Sequence, residues 1–320
     1  PSVQKNATRL SVYAALTGNL LVTAIKTVAA VMTGSSAMLS EAVHSFVDTG
    51  NELLLLYGMR RASRHPDAEH PLGYGRELYF WSFVVALMVF ALGAGVSIYE
   101  GILHVRAPET ISKPMVSYVV LAFALVFEGA SWWVSIRQFS AAKGELGFYE
   151  AFRRSKDPPS FVVLFEDTAA LLGIAIAASG TYAATTLGVR EADGIASILI
   201  GLVLAVTASL LARESKSLLI GERANRDLSE SIMRIARSQR PAVGANGLMT
   251  VQMAPDQIVV ALSLEFADSM RAPDIEGYVL CLERAIRDAH PEVMALFVKP
   301  QTEKTFKDHA RKRFGESTNG

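Results

Sequence analysis

The stretch Ser40-Glu41-Ala42-Val43-His44-Ser45-Phe46-Val47-Asp48 places ionisable side chains inside a long apolar segment. On a helix, the spacing of His44 and Asp48 puts both side chains on one face, one turn apart. A second acidic pair, Glu166-Asp167, interrupts another apolar segment. Ionisable groups at membrane depth are unfavourable unless they face a cavity, a partner or an ion. Because His and carboxylates suit a borderline divalent metal, the pattern predicts a membrane transporter of metal ions.

Composition narrows the class of protein. The chain of 320 residues is 51% hydrophobic and 19% charged, which is too apolar for an average soluble protein. Its formal charge of zero predicts no attraction to nucleic acid. The single cysteine, Cys281, excludes an internal disulfide framework and a Cys-based zinc cage. The sequence has neither a phosphate-binding Gly-rich loop followed by Lys-Ser or Lys-Thr nor a His-Glu-x-x-His motif. We therefore expect a secondary transporter rather than an ATP-driven pump or an enzyme.

Six apolar segments approach the roughly 20 residues that a helix needs to cross a bilayer. They are Leu10–Met32, Ala37–Met59, Leu78–Leu103, Met115–Ile136, Ser160–Thr186 and Ala192–Ala212. Lys and Arg concentrate in the loops 60–76 and 137–156 and outside the first and last segments. This distribution predicts that both termini are cytoplasmic, or on the matrix-like side of an organelle. Without a visible transit-like segment, a bacterial inner membrane is the expected location.

The pattern changes after Gly221. A helix is predicted over Asn225–Arg240, strands over Leu248–Met253 and Ile258–Phe266, a second helix after Pro273, and a last strand over Val293–Val298. The expected fold is thus an all-α bundle of six transmembrane helices, residues 1–221, and a cytoplasmic α+β domain of order α-β-β-α-β, residues 222–300. The charged tail, 301–320, lacks a periodic apolar face, so we expect it to be flexible.

The second and fifth spans contain the candidate metal ligands. Glu166 and Asp167 are about 100° apart on a helix, so both cannot point straight at one ion. One is expected to be a ligand, while the other meets a neighbouring helix or carries a proton. Asn19, Lys26 and Glu128 are further polar residues at membrane depth, and they either pair helices or form a proton path. The alternative for the whole set is hydrogen bonding between helices without a metal.

Several motifs carry a family resemblance. They are Asn19, Lys26, Gly34-Ser35, the stretch 41–48, His70-Pro71-Leu72-Gly73-Tyr74-Gly75-Arg76 and Asp193-Gly194. With these residues the chain resembles the cation diffusion facilitator family of metal/proton antiporters. It is most similar to the branch containing the mitochondrial zinc transporter and its bacterial relatives. The motifs shared with that branch are Phe127-Glu128-Gly129-Ala130, Lys143-Gly144, Asp157-Pro158 and Glu166-Asp167-Thr168-Ala169-Ala170.

The resemblance implies a transport site with two ligands from each of the second and fifth spans. His44, Asp48 and Asp167 match three of them, but the fourth position is Val163, which cannot bind a metal. Glu166 or a water molecule is the expected substitute.

Two further metal sites of the family look degraded in this chain. In the loop after the second span, Asp67 and His70 remain, but Tyr74 replaces a second His, so we expect a weak loop site or none. Ser263, Phe297 and Lys299 stand at ligand positions of the soluble domain, which leaves that domain the role of forming a homodimer.

The expected function is export of a divalent cation from the cytoplasm in exchange for protons, by alternating access across the lipid bilayer. Zn²⁺ fits ligation by nitrogen and oxygen in a four-coordinate site, and Co²⁺, Fe²⁺ and Mn²⁺ remain open because no thiolate helps to select. No organic cofactor is expected. A metal-sensing or scaffolding membrane protein without transport is the alternative, because the fourth ligand is missing.

Overall fold

Long helices form the N-terminal part of the chain in the computed structural model, which describes residues 2–144, 147–239 and 244–314. Contacts divide the chain into two units, Pro1–Lys216 and Ser217–Gly320. The helices that begin in the first unit are α1 (Ser2–Thr33), α2 (Ser36–Ala62), α3 (Glu77–Met88), α4 (Gly95–Arg106), α5 (Pro114–Lys143), α6 (Phe148–Arg154), α7 (Pro158–Thr185) and α8 (Ala192–Ile220), with a π-helical turn, Val89–Ala94, joining α3 to α4. The predicted domain boundary after residue 221 falls just beyond the end of α8.

Five of the predicted spans lie on single helices to within one residue, whereas the third, Leu78–Leu103, covers α3, the π-helical turn and α4. The helices differ in apolar character. Within the described residues, four are long and apolar enough to cross a membrane: Glu77–Arg106, Pro114–Ala141, Phe161–Thr185 and Ala192–Ile220. Gly18–Thr33 of α1 is a shorter apolar helix. The second helix, α2, is not among them because buried polar side chains such as Glu41, His44 and Asn51 interrupt its apolar sequence. The structure thus shows a helical membrane domain, and its count of six spans stays a prediction.

Helices α1 and α2 form the antiparallel hairpin that the short turn predicted. Gly34 has a φ of +66°, which glycine adopts without strain. Ser35 then caps α2, because its hydroxyl oxygen accepts a hydrogen bond from the Met38 N–H at 3.1 Å. The Asp193 carboxylate at the start of α8 accepts further hydrogen bonds from the Ser35 hydroxyl at 2.6 Å and from the Ser36 N–H at 2.5 Å. A buried carboxylate from α8 therefore satisfies the N-terminal donors of α2.

Helices α4 and α8 approach each other closely through glycine. A Cβ atom added to Gly101 would lie 2.7 Å from the Gly194 carbonyl oxygen, and one added to Gly194 would lie 2.8 Å from the Gly101 carbonyl oxygen. No other residue fits either position without moving a backbone. Small residues commonly allow such close packing in membrane helices, and here they fix α8 beside the turn that it caps.

The second unit contains the predicted α-β-β-α-β order, which the structure confirms. Its elements are α9 (Arg226–Ser238), β1 (Gly244–Ala254), β2 (Gln257–Glu265), α10 (Ala272–Ala289) and β3 (Val293–Pro300). The sheet order is β1-β2-β3, with β1 antiparallel and β3 parallel to the central β2. Ile232, Leu262 and Leu282 are fully buried between the sheet and the helices. Arg240, the predicted end of the first helix here, lies outside the described residues.

The charged tail is helical rather than flexible over residues 303–314, so this part of the expectation was wrong. Helix α11 (Glu303–Phe314) follows β3. The Glu303 N–H donates to Glu265 Oε2 at 3.0 Å. The Phe306 ring lies against Gly247 of β1, where a side chain would collide with it. One aromatic contact and one hydrogen bond at the first residue of the helix hold α11 on the sheet. A prediction based on a periodic apolar face detects neither contact. Residues 315–320 lie outside the described residues.

Replacing Asp193 with Asn tests the cap on α2. The amide group can offer only one acceptor oxygen, and its NH₂ group would face the donors of α2, so we expect a loss of about 1–3 kcal/mol in the free energy of unfolding. Unfolding in mixed detergent micelles measures this loss. Glu191→Gln, an exposed acid two residues earlier, is the matched control. Equal stabilities of the two variants would contradict the capping role.

Candidate functional site

Acidic side chains converge on a small cavity between α1, α2, α5 and α7. Its volume is about 40 Å³, which is enough for an ion or a few water molecules. The lining residues are Asn19, Val22, Ser45, Asp48, Glu52, Glu128, Ser131, Val163, Glu166 and Asp167. The structure thus brings Asp48 together with Glu166 and Asp167, whereas His44 is not among the residues that line the cavity. Over the described ranges, no three His, Cys, Asp or Glu side chains are already arranged around a metal position.

His44 and Asp48 lie beside each other on α2. His44 Nδ1 is 3.3 Å from Asp48 Oδ1, but the angles are not those of a hydrogen bond. His44 is 1% exposed, and neither of its ring nitrogens has a hydrogen-bond partner among the described residues. Asp48 Oδ1 is buried and without such a partner as well. Buried polar atoms are normally satisfied, so these three atoms are available to a ligand.

Glu166 and Asp167 point to different helices, as their separation of about 100° requires. Asn51 Nδ2 of α2 donates to Glu166 Oε1 at 2.7 Å, and Glu166 is buried. The hydroxyl groups of Ser131 and Ser135 on α5 both donate to Asp167 Oδ2 at 3.0 Å. The two acids therefore join α7 to both neighbours while lining one cavity. In the described part of the chain, no Lys or Arg forms an ion pair with either acid.

Lys26 is the centre of a buried polar network beside the cavity. Its Nζ atom lies 3.1 Å from Glu41 Oε2, 2.8 Å from the Ser45 hydroxyl and 3.4 Å from Glu128 Oε1. Lys26 and Glu41 are fully buried, and the Glu128 side chain is 15% exposed. One ammonium thus joins α1 to α2 and α5. Two roles were expected for Lys26 and Glu128, the pairing of helices or a proton path, and this geometry favours the pairing of helices.

Asn19, also on α1, lines the cavity and forms a hydrogen bond to α2. Its Nδ2 atom donates to Glu52 Oε1 of α2 at 2.6 Å. Glu52 lines the cavity, one helical turn from Asp48. Asn19 therefore positions a carboxylate of α2 and joins α1 to α2.

Comparison with known proteins identifies the family of the membrane domain. A family model described as the cation efflux transmembrane domain matches residues 12–220, more than half of the chain. The chain belongs to the cation efflux family. The predicted family resemblance is thereby confirmed, and the matched region contains every residue that lines the cavity.

Curated relatives share this region. The mitochondrial proton-coupled zinc antiporter SLC30A9 of Xenopus laevis is 38% identical over 223 residues, which cover 69% of this chain and 40% of that protein. Metal tolerance protein C4 of Arabidopsis thaliana is 32% identical over 230 residues, 71% of this chain and 50% of the relative. The cation-efflux pump FieF of Yersinia enterocolitica is 26% identical over 267 residues, 81% of each chain. The chain thus spans half or less of the length of the first two relatives, and the names antiporter and pump describe transporters rather than enzymes.

The loop after α2 uses its acid to organise a turn. The Tyr74 hydroxyl donates to Asp67 Oδ2 at 2.5 Å, and the His70 N–H donates to Asp67 Oδ1 at 2.7 Å. These hydrogen bonds, that of Tyr74 foremost, lower the pKa of the Asp67 carboxyl. His70 Nδ1 is 3.5 Å from Asp67 Oδ1. The weak loop metal site predicted at Asp67 and His70 would have to form on a carboxylate that already holds this turn.

Sequence reasoning missed the side chains that hold the acids in place. Asn51, Ser131 and Ser135 are not among the candidate site residues of the sequence. A signal existed in each case. Asn51 follows Asp48 by three residues, so it shares the face of Asp48. Ser131 and Ser135 follow Glu128 by three and seven residues and continue its stripe along α5.

Removal of the buried ammonium tests the role of Lys26. In Lys26→Met, Glu41 keeps its buried carboxyl without a counter-charge, so we expect a loss of about 3–5 kcal/mol in the free energy of unfolding. The double variant Lys26→Met with Glu41→Met removes both charges and should recover most of this loss. Unfolding in mixed micelles measures both, with the exposed Lys216→Met as control. A double variant as unstable as the sum of two single losses would contradict the pairing.

Proposed function

We propose that this protein is a secondary-active transporter that exchanges Zn²⁺ for protons. One observation carries the proposal. Carboxyl groups from α2 and α7 line a buried cavity without Lys or Arg partners among the described residues, next to an imidazole whose two nitrogens make no hydrogen bond. A divalent cation would offset the negative charge and use the free nitrogen. The Xenopus relative, named a proton-coupled zinc antiporter, supports the choice of ion.

The transported ion would bind to His44 and Asp48 from α2 and to Asp167 and Glu166 from α7. Val163 lines the cavity but offers no donor atom, so Glu166 supplies the oxygen that is missing there. Asn51, Ser131 and Ser135 act on the ligands rather than on the ion, because their hydrogen bonds fix the direction of the two carboxylates.

Proton exchange follows from the chemistry of these ligands. Bound Zn²⁺ requires a neutral imidazole and ionised carboxylates, so metal loading releases protons and proton entry favours metal release. We propose that helices rock to expose the cavity to each side of the membrane in turn, and that metal leaves the cytoplasm while protons enter. Co²⁺, Fe²⁺ and Mn²⁺ are further candidate substrates for this nitrogen and oxygen site.

The proposed topology has six spans with both termini on the cytoplasmic side of a bacterial inner membrane. Support comes from the Lys and Arg residues that flank the predicted spans on one side. We further propose a homodimer held by the domain of residues 222–300. Phe297 of β3, a large apolar side chain that is 58% exposed, suits such an interface.

A metal sensor or scaffold without transport is the second candidate. The observation that favours it is Val163, because a site with an incomplete ligand set can bind a metal ion without carrying it through a transport cycle. Sensing and transport differ in one measurement, since only a transporter moves metal across a sealed membrane.

Flux in proteoliposomes with an imposed proton gradient tests the transport site. His44→Ala removes the imidazole nitrogens and Asp48→Asn removes a carboxylate charge, so we expect each to lower the initial rate of Zn²⁺ uptake by about tenfold or more. His104→Ala and Glu100→Gln on α4 are matched controls, because these residues do not line the cavity. Unchanged flux in His44→Ala or Asp48→Asn would refute the assignment. Absence of flux in the unmodified protein, with Zn²⁺ binding retained, would favour the sensor.

Isosteric amide substitutions test the contribution of each of the two acids of α7 to metal binding. Glu166→Gln and Asp167→Asn keep an oxygen that can accept the bonds from α2 and α5, but they remove the charge that holds the ion. We expect each to raise the KM for Zn²⁺ by about tenfold or more. Glu52→Gln is a control of the same kind, since Glu52 lines the same cavity and also accepts from an Asn. An effect of Glu166→Gln no larger than that of Glu52→Gln would remove Glu166 from the ligand set.

A further inference from the structure

A second, larger cavity lies within the C-terminal unit, remote in sequence from the metal ligands. Its volume is about 1350 Å³, and it is bounded by α9, by β1 and β2, by the end of β3 and by α11. Helix α11 contributes Phe306 and His309, so the tail helix forms one of its walls. The expected function of the protein makes no use of this cavity.

The walls of this cavity are strongly basic. Arg223, Arg226, Arg234, Arg237 and Lys299 line it, together with the imidazole of His309, whereas Glu230 is the acid among the lining residues. Because the whole chain has 31 basic and 31 acidic residues, this concentration of positive charge is local.

Most of these cationic side chains form no ion pair within the described part of the chain. Arg226 Nε forms an ion pair with Glu230 Oε1 at 2.7 Å. In the described part of the chain, Arg234, Arg237 and Lys299 form no ion pair with a carboxylate, and these side chains are exposed. The guanidinium groups therefore have donors free for a ligand.

The spacing of the arginines indicates a ligand with several negative groups. Arg226 and Arg237 are eleven residues apart on α9, which corresponds to about 16 Å along the helix. Lys299 and His309 face them from β3 and α11. A single phosphate group cannot contact both ends of this cavity. Guanidinium groups bind phosphate oxygens through paired hydrogen bonds, so a chain of phosphates, or a molecule bearing more than one, suits the cavity.

We propose that this basic cavity binds a polyphosphorylated ligand. The ligand is either a soluble molecule, such as a nucleoside triphosphate, or a multiply phosphorylated lipid headgroup. The apolar side chains in its walls, among them Met233, Leu248 and Phe306, would contact the organic part of the ligand. Phe306 also holds α11 on the sheet through Gly247. Ligand contact with His309 and Phe306 would therefore stabilise the position of α11.

The test titrates the full chain, in phosphatidylcholine nanodiscs and metal-free buffer, with inorganic tripolyphosphate in a calorimeter. We expect saturable binding that weakens as NaCl rises, because the contacts are ionic. A second preparation adds phosphatidylinositol bisphosphate to the nanodiscs. Equal tripolyphosphate affinity in both preparations identifies a soluble ligand, and weaker affinity in the second identifies the lipid headgroup as a competitor. No saturable binding in the first preparation would overturn the proposal.

Charge reversal locates the binding. The double variant Arg234→Glu with Arg237→Glu should weaken tripolyphosphate binding by about tenfold or more, since two charge-assisted contacts are lost. Lys299→Gln weakens it from the opposite wall and serves if the double variant does not fold. Arg284→Glu, an exposed arginine of α10 outside the cavity, is the matched control and should bind as the unmodified chain does. A loss in Arg284→Glu equal to that in the double variant would assign the binding to general surface charge.

Discussion

Ionisable side chains buried among apolar helices are the constraint on which this structure depends. A carboxylate removed from water needs a counter-charge, hydrogen bonds or an ion. The membrane domain meets this requirement in two ways. Lys26 offsets Glu41 and Glu128 within the protein. Asp48, Glu166 and Asp167 instead surround a cavity and accept at most neutral hydrogen bonds from Asn and Ser side chains in the described structure. The first set joins helices, while the second leaves its charge available to a cation.

The hydrogen-bonding groups of α2 are satisfied at its start but not at His44, about two turns further along. At its start, Ser35 and Asp193 bond the free backbone N–H groups, so this end is fixed to α8. Glycine contacts between α4 and α8 make the same region closely packed. Further along α2, the imidazole of His44 has no hydrogen bond. One helix thus combines a rigid anchor with a binding face, and rigid support is what a metal ligand requires.

Features that depend on residues close together in the chain were predicted from the sequence, whereas side-chain contacts between distant helices were not. The spacing of His44 and Asp48 gave their common face, because helix geometry is local. The cavity itself needs four helices, some of them distant in sequence, and only the excess of acids at membrane depth suggested it. The hydrogen-bond partners of Glu166 and Asp167, such as Asn51 and Ser131, depend on how each helix is rotated about its axis. The helical period of about 3.6 residues does not determine this rotation when polar residues occur on several faces. Helix α11 escaped prediction because one aromatic contact, at Gly247, attaches it.

Val163 has a consequence for how a transported ion would couple the helices. A donor at this position would lie one turn before Asp167, on the same face of α7. With valine there, Glu166 approaches from the α2 side while Asp167 is held by serines of α5. An ion bound by both carboxylates would act on α2 and α5 through the bonds of Asn51 and of Ser131 and Ser135. Ion binding would then alter the contacts of α7 with two helices at once, which gives the differential interaction that any ligand-driven conformational change requires.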